Sequence, residues 1–288
     1  MKRRLRHVLL AALLGAASLA VNAENRVFFV IGDTGDCELE GTAQVVRALQ
    51  QQADWSKASL IEVGDLGYPV ATHEQLQTCH EKHYAPFKTR FAVPGNHDWH
   101  AGEQSGFFSV FPGPVPRIES LGGPWRLVML NSNLRDDAWE KQLGWLDKQL
   151  PAQAGLCLIA AWHHPRWSSG KHGDNRFTQP LWERLQGQAS FTLHGHDHHF
   201  EALPAVDRDG KPSPFGVASF ISGNAGAVLY GAGWSNARSN RAHYGNWGFM
   251  RLELDEQRYR WQAISVDGQI IDRGEGQCQP AGARVAPR

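Results

Sequence analysis

Five short apolar runs in this chain each end in a polar cluster, and that recurrence constrains the fold more than any other feature. The runs are Val27 to Ile31, Leu60 to Val63, Phe91 to Val93, Leu156 to Trp162 and Phe191 to Leu193. The clusters are Gly32-Asp33-Thr34-Gly35-Asp36, Gly64-Asp65-Leu66-Gly67-Tyr68, Gly95-Asn96-His97-Asp98, Trp162-His163-His164-Pro165 and Gly195-His196-Asp197-His198. Runs this short, bounded by turn residues, read as buried strands. Leu127 to Asn131 reads as another. Amphipathic helices lie between them, the clearest from about Asp137 to Leu150. There Trp139, Leu143, Leu146 and Leu150 share one face, spaced as helix geometry requires. Asp137 and Glu140 read as a capping box, with Pro151 after the end. Val217 to Ile221, Gly248 to Leu254 and Tyr259 to Val266 read as antiparallel strands. Phe107 to Gly123, rich in Pro and Gly, reads as a long loop. The sum fits a layered α/β domain whose second half adds a sheet. No internal repeat or low-complexity linker divides it.

Ligand sites in open α/β sheets gather beyond the carboxyl ends of strands, where these clusters fall. Carboxylates, an amide and imidazoles make an oxygen-and-nitrogen donor set. That set suits iron, manganese, zinc or cobalt and lacks the thiolates of a structural zinc site. The chain has 14 histidines, and histidine is the commonest metal ligand. Cys79, His80 and His83 do not make a zinc site, because no fourth ligand follows at regular spacing. His73, His80 and His83 are expected on a solvent-facing helix surface. His194 and His199 flank motifs, and His243 lies in a loop. Ser168-Ser169-Gly170 lacks the flanking glycine of a nucleophile elbow, which excludes that class of serine hydrolase.

The N-terminus reads as an address. Lys2, Arg3, Arg4 and Arg6 precede an apolar run from Val8 to Val21, and Val21-Asn22-Ala23 gives small residues at the cleavage positions. This is the layout of a secretory signal peptide over residues 1–23, leaving 24–288 as the mature domain. Losing four of the 29 basic residues leaves 25 against 29 acidic ones, a net charge of −4. That balance argues against a nucleic-acid partner, and no later segment is apolar enough to span a membrane. Export, to the periplasm or beyond, places Cys37, Cys79, Cys157 and Cys278 in an oxidising compartment. Three pairings are possible; Cys37–Cys79 with Cys157–Cys278 is favoured.

With these five blocks in this order and spacing, the chain resembles the calcineurin-like metallophosphoesterases. Within them it resembles the purple acid phosphatases and their secreted bacterial relatives. The resemblance runs from Val27 to about Gln277 and includes the segment Trp162 to Asp174. It implies a single metallophosphoesterase domain: a four-layer α/β/β/α sandwich of two mixed β-sheets flanked by helices, with a dinuclear metal site at the strand C-terminal ends. Residue by residue, Asp33 matches the terminal aspartate of the first metal and Asp65 the aspartate bridging both. Asn96, His163 and His196 match ligands of the second metal, and His198 a ligand of the first. Tyr68 stands three residues after the bridging aspartate, where purple acid phosphatases bind Fe(III) through a phenolate. The implied cofactor is two divalent or trivalent ions, iron with iron, zinc or manganese.

The chemistry implied is phosphate-ester hydrolysis by a hydroxide held on the metal pair. Two cations about 3.5–4 Å apart bind the phosphoryl oxygens and bring the pKa of a bound water toward about 7. His97, beside Asn96, matches the histidine that contacts the phosphate and the leaving oxygen, and Asp98 is expected to orient it. His172, in Ser168-Ser169-Gly170-Lys171-His172-Gly173-Asp174, matches the second substrate histidine, and His164 is expected to line the pocket. The expectation is therefore an exported phosphomonoesterase acting on a small phosphate ester. The alternative is a phosphodiesterase acting on nucleotides or phospholipid head groups. A non-catalytic secreted metal-binding protein is disfavoured, because every matched ligand position is filled. Oligomeric state and metal identity are left open.

Overall fold

The structure, a computed structural model, describes residues 26–99, 105–233 and 238–282; the expected signal peptide and His100 lie outside them. Two β-sheets stack face to face. The first has the order β13-β12-β11-β1-β2-β3, with β1 Arg26–Ile31, β2 Ser59–Glu62, β3 Arg90–Ala92, β11 Gly248–Leu254, β12 Arg258–Ser265 and β13 Ile270–Gln277. The second has the order β10-β8-β9-β7-β6-β5-β4. Its strands are β4 Arg117–Gly122, β5 Trp125–Met129, β6 Cys157–Ala161, β7 Phe191–His194, β8 Phe200–Val206, β9 Val217–Ser222 and β10 Ala242–His243. Each sheet has a parallel part, β1-β2-β3 at one side of the first and β5-β6-β7-β9 within the second, extended by antiparallel strands.

The alternation of side chains along each strand builds the layers. Phe28 and Val30 of β1 point into the space between the sheets with Ile61, Met129, Ile159, Phe191 and Leu252. Phe29 and Ile31 point the other way, under α1 (Gly41–Gln50) and the Tyr84–Phe87 segment. On the outer face of the second sheet, Val128, Leu158 and Ala160 meet Trp139, Leu143 and Leu146 of α5 (Asp136–Gln149) and Trp182 of α6 (Gln179–Leu185). The result is the expected α/β/β/α sandwich. Between β2 and β3 the chain forms α2 (His73–Gln75), a π-helical turn Leu76–Glu81, and α3 (Lys82–Tyr84); α4 is Ser105–Val110.

Several local expectations need correction. α5 begins after Arg135, which is extended and makes no side-chain cap. Asp137 caps nothing, and the first-turn carboxylates act through the helix dipole instead. The expected loop from Phe107 to Gly123 contains most of α4 and all of β4, an edge strand whose mostly half-exposed residues Arg117, Ile118 and Glu119 hide its periodicity. β9 is antiparallel to β8 but parallel to β7. His80 does not face solvent. It is fully buried, with Nδ1 2.9 Å from Thr34 Oγ1 and Nε2 2.7 Å from Glu62 Oε2. The cysteines are joined as Cys37–Cys79 and Cys157–Cys278. The first ties the loop after β1 to the π-helical turn, and the second ties β6 to the segment after β13.

Candidate metal centre

The five polar clusters converge where β1, β2, β3, β6 and β7 end. Among the described residues, four non-glycine residues adopt positive φ, and three of them are Asp33 (58°), Asp65 (55°) and His196 (72°). Left-handed backbone at such residues is unfavourable and persists where function demands a particular side-chain direction. The glycines explain how the loops approach so closely. A Cβ on Gly95 would lie 2.1 Å from Asp65 Oδ1, and one on Gly195 would lie 2.5 Å from Asp33 Oδ2.

Two groups of donor atoms result. In one, the Tyr68 hydroxyl lies 3.0 Å from Asp33 Oδ1, 3.2 Å from Asp65 Oδ2 and 3.1 Å from His198 Nε2. His198 Nε2 is itself 3.2 Å from Asp33 Oδ1. In the other, His163 Nε2 lies 3.2 Å from Asp65 Oδ2, and His196 Nδ1 lies 3.1 Å from Asn96 Oδ1. Asp65 Oδ2 belongs to both groups. All seven residues matched as ligands are thus brought together.

The hydrogen bonds fix which nitrogens are free. His163 Nδ1 donates to the carbonyl of Val63 at 2.8 Å, so in the neutral ring Nε2 carries the lone pair. That Nε2 is buried without a hydrogen-bond partner, yet it faces a carboxylate. The contact is met by a proton on Nε2 or by a metal ion in that proton's place. The same holds for His198, whose Nδ1 donates to the carbonyl of Val228 at 2.6 Å. Ligand atoms of Asp33, Asp65 and His163 also lie within 4.8 Å of one another. A buried orphan nitrogen among carboxylates and imidazoles fits a metal ion.

The electrostatics favour positive charge beside these carboxylates. Burial disfavours charge at His163, but Asp65 overrides it and raises the imidazole to about 9. Burial likewise opposes charge at Asp65, yet His163 and His97 hold its carboxyl well below the usual range. Burial, followed by the imidazoles of His163, His164 and His172, pushes His196 far down, leaving it a neutral donor. Burial with the Asp33 and Asp65 carboxylates pushes the Tyr68 phenol up, so a phenolate there needs a neighbouring cation.

Around these groups lie the other expected residues. His97 donates from Nδ1 to the carbonyl of Pro69 at 2.6 Å, leaving Nε2 toward the cleft, 3.9 Å from Asp65 Oδ2. Asp98 does not orient it. Its carboxylate accepts the backbone N–H groups of Asp65, Leu66 and Gly95 at 2.7, 2.9 and 2.8 Å. A buried carboxylate takes the donors nearest to it, and three amides of the ligand loops surround Asp98. The ring of His172 stacks on that of His196 at 4.3 Å. Four contributors are not marked as such in the sequence. Asp197 accepts the N–H of His172 at 2.8 Å. Asn133 donates to the carbonyls of Pro94 and Gly95. Tyr230 lies parallel to His198 at 4.0 Å, and Ser132 holds His164. Asp197 was legible, since it stands between two candidate ligands; tertiary contact alone brings in the other three.

Residues 26–200 match the calcineurin-like phosphoesterase family. Tartrate-resistant acid phosphatase type 5 of Mus musculus is 26% identical over 61% of this chain and 67% of that protein. Among solved structures, GAP50, the anchor in the inner membrane complex of Plasmodium, superposes with a TM-score of 0.73 at 15% identity, covering 90% of each chain. A purple acid phosphatase from yellow lupin (Lupinus luteus) seeds gives a TM-score of 0.66 at 16% identity, covering 88% of this chain and 54% of that one. In fold, in the order of its motifs and in sequence, the chain belongs to the calcineurin-like phosphoesterase family of phosphoric ester hydrolases.

Proposed function

We propose that this metallophosphoesterase is an exported phosphomonoesterase of the purple acid phosphatase type, working with two metal ions. The observation that carries the reading is the sharing of Asp65 Oδ2 between two donor groups. Asp33, Tyr68, His198 and Asp65 would hold one ion, and Asp65, Asn96, His163 and His196 the other. The pair would supply Lewis acidity toward the phosphoryl oxygens and an activated water. The residues around it do the rest. His97 Nε2, when protonated, donates to the departing ester oxygen, and its link to Pro69 O holds the ring in place. His172 covers the His196 side and meets the phosphoryl group. Half-exposed His97 leaves the departing group facing solvent, which suits small esters. Tyr68 supports iron at its position, with iron, zinc or manganese at the other.

Support for export comes from the sequence of residues 1–23 and the two disulfides. The decisive experiment loads the protein with iron and a divalent metal and compares a mono-aryl with a bis-aryl phosphate. Faster monoester turnover, with a visible charge-transfer band lost in Tyr68→Phe, is the expected result. Diester preference, or a colourless iron-loaded protein, would overturn the corresponding part. Sequencing the N-terminus of protein recovered outside the cytoplasm tests export; a start near Glu24 is expected.

A further inference from the structure

His164 is a buried imidazole at this site that the ligand set leaves unused. Its ring centre lies 4.4 Å from that of His196 and 5.0 Å from that of His163. One ring nitrogen of each of the three falls within 4.8 Å of the others. Distance alone would permit a third nitrogen ligand. The hydrogen count argues otherwise. Ser132, 1% exposed, places Oγ 2.7 Å from His164 Nδ1 and also accepts the backbone N–H of His164 at 3.2 Å. A serine hydroxyl has one hydrogen to give. If Nδ1 donated to Oγ, that hydroxyl hydrogen would have no acceptor among the described residues, an unmet buried donor. If the hydroxyl donates to Nδ1, both groups are satisfied and the proton of the imidazole sits on Nε2. Nε2 has no hydrogen-bond partner among the described residues.

We propose that His164 is a substrate-binding residue: its Nε2–H, fixed by Ser132, donates to a phosphate oxygen beside the His163–His196 corner. A protonated nitrogen cannot ligate a metal, but it is suited to an oxyanion. The inference deepens the phosphoesterase reading and rests on it. Ser132 is the positioning residue. It stands beyond the end of β5 and reaches across to the loop after β6, so the donor is set by the adjacent parallel strands rather than by a surface loop.

The test uses metal-loaded protein with inorganic phosphate as the probe. Calorimetric titration should give a Kd for His164→Asn about tenfold or more above wild type, the cost of one hydrogen bond to a charged group. His164→Gln, which can place an amide N–H near the Nε2 position, should stay within about threefold. Metal content, by elemental analysis, should be unchanged in both. Equal phosphate affinity in wild type and His164→Asn overturns the proposal, and so does loss of metal from His164→Asn. If His164→Asn does not fold, 15N-histidine NMR of the wild type loaded with zinc reads the tautomer directly. A protonated Nε2 supports the proposal, and an unprotonated or zinc-shifted one overturns it. A wild type that binds metal but neither binds phosphate nor cleaves monoesters overturns the functional reading itself.

Discussion

The carboxylate of Asp98 accepts the backbone N–H of Asp65, 2.7 Å away, and so anchors the loop that carries the carboxylate shared by the two donor groups. The same carboxylate holds Leu66 N and Gly95 N. One buried side chain thereby joins the loop after β2 to the loop after β3. Burial and the neighbouring Asp65 push Asp98 up, and the amide donors oppose that shift. Asp98→Ala leaves three buried N–H groups unmet, each worth about 1–3 kcal/mol. The expected loss of unfolding free energy in urea is about 3 kcal/mol or more, with metal content reduced. Asp98→Asn, which keeps one acceptor, should lose less.

Gly95 makes the complementary prediction. Its missing side chain is the space that Asp65 Oδ1 occupies. Backbone and a buried carboxylate meet there, so neither can give way cheaply. Gly95→Ala should fold, as judged by circular dichroism, but bind metal about 10–100-fold more weakly, the range seen when groups supporting metal ligands are disturbed. Wild-type metal affinity in this variant would show that the Asp65 loop has another stable position.

How much of this was legible follows from which forces write themselves into sequence. The strand-end clusters were, because apolar runs and glycines record burial and turning locally. β8 was not, because its start at Phe200 runs straight on from Gly-His-Asp-His-His and reads as part of the cluster. β13, with residues Asp272, Arg273 and Glu275 at a sheet edge, has little buried face to record. The burial of His80 is hidden for a different reason. Its burial depends on Thr34, Glu62 and Arg90 arriving from three other elements. Adjacency in sequence pairs Asp98 with His97, whereas the fold supplies three amides instead. GAP50 sets the limit of the fold itself: a fold shared at 15% identity with a protein described as an anchor does not decide catalysis. The filled donor set carries that argument.

The ion cluster around Glu62 predicts an acid limit to stability. Glu62 is fully buried, with Arg90 Nε at 2.7 Å and His80 Nε2 at 2.7 Å. Burial alone would raise its pKa, but Arg90 and His80 outweigh burial and lower it from 4.5 to about 2. A carboxyl depressed in the folded state adds stability above its unfolded pKa and loses it as pH falls toward the folded one. The contribution, about 3 kcal/mol, should therefore be present at pH 5 and disappear between about pH 4.5 and 2. Urea unfolding across that range should show a steeper fall in wild type than in Glu62→Gln. Arg90→Met should be worse than either at neutral pH, by about 3–5 kcal/mol, because it leaves Glu62 charged and buried with its main partner gone.

Asp197 separates substrate binding from metal binding. It stands between His196 and His198, yet its side chain points away from the donor groups, into the segment 168–174. Oδ1 accepts the N–H of His172 at 2.8 Å, and Oδ2 accepts the hydroxyl of Ser168. Ser168 Oγ in turn accepts the N–H of Gly170 at 2.9 Å. The carboxylate thus sets where the His172 ring stacks on His196. Asp197→Ala should release that loop. KM for a phosphomonoester should rise about tenfold, as expected when displaced His172 loses one hydrogen bond to the charged phosphoryl group, while metal content stays at the wild-type level. Asp197→Asn keeps one acceptor and should recover part of the loss. Metal loss in Asp197→Ala, without the KM effect, would instead mean that the residue supports the backbone of its two histidine neighbours.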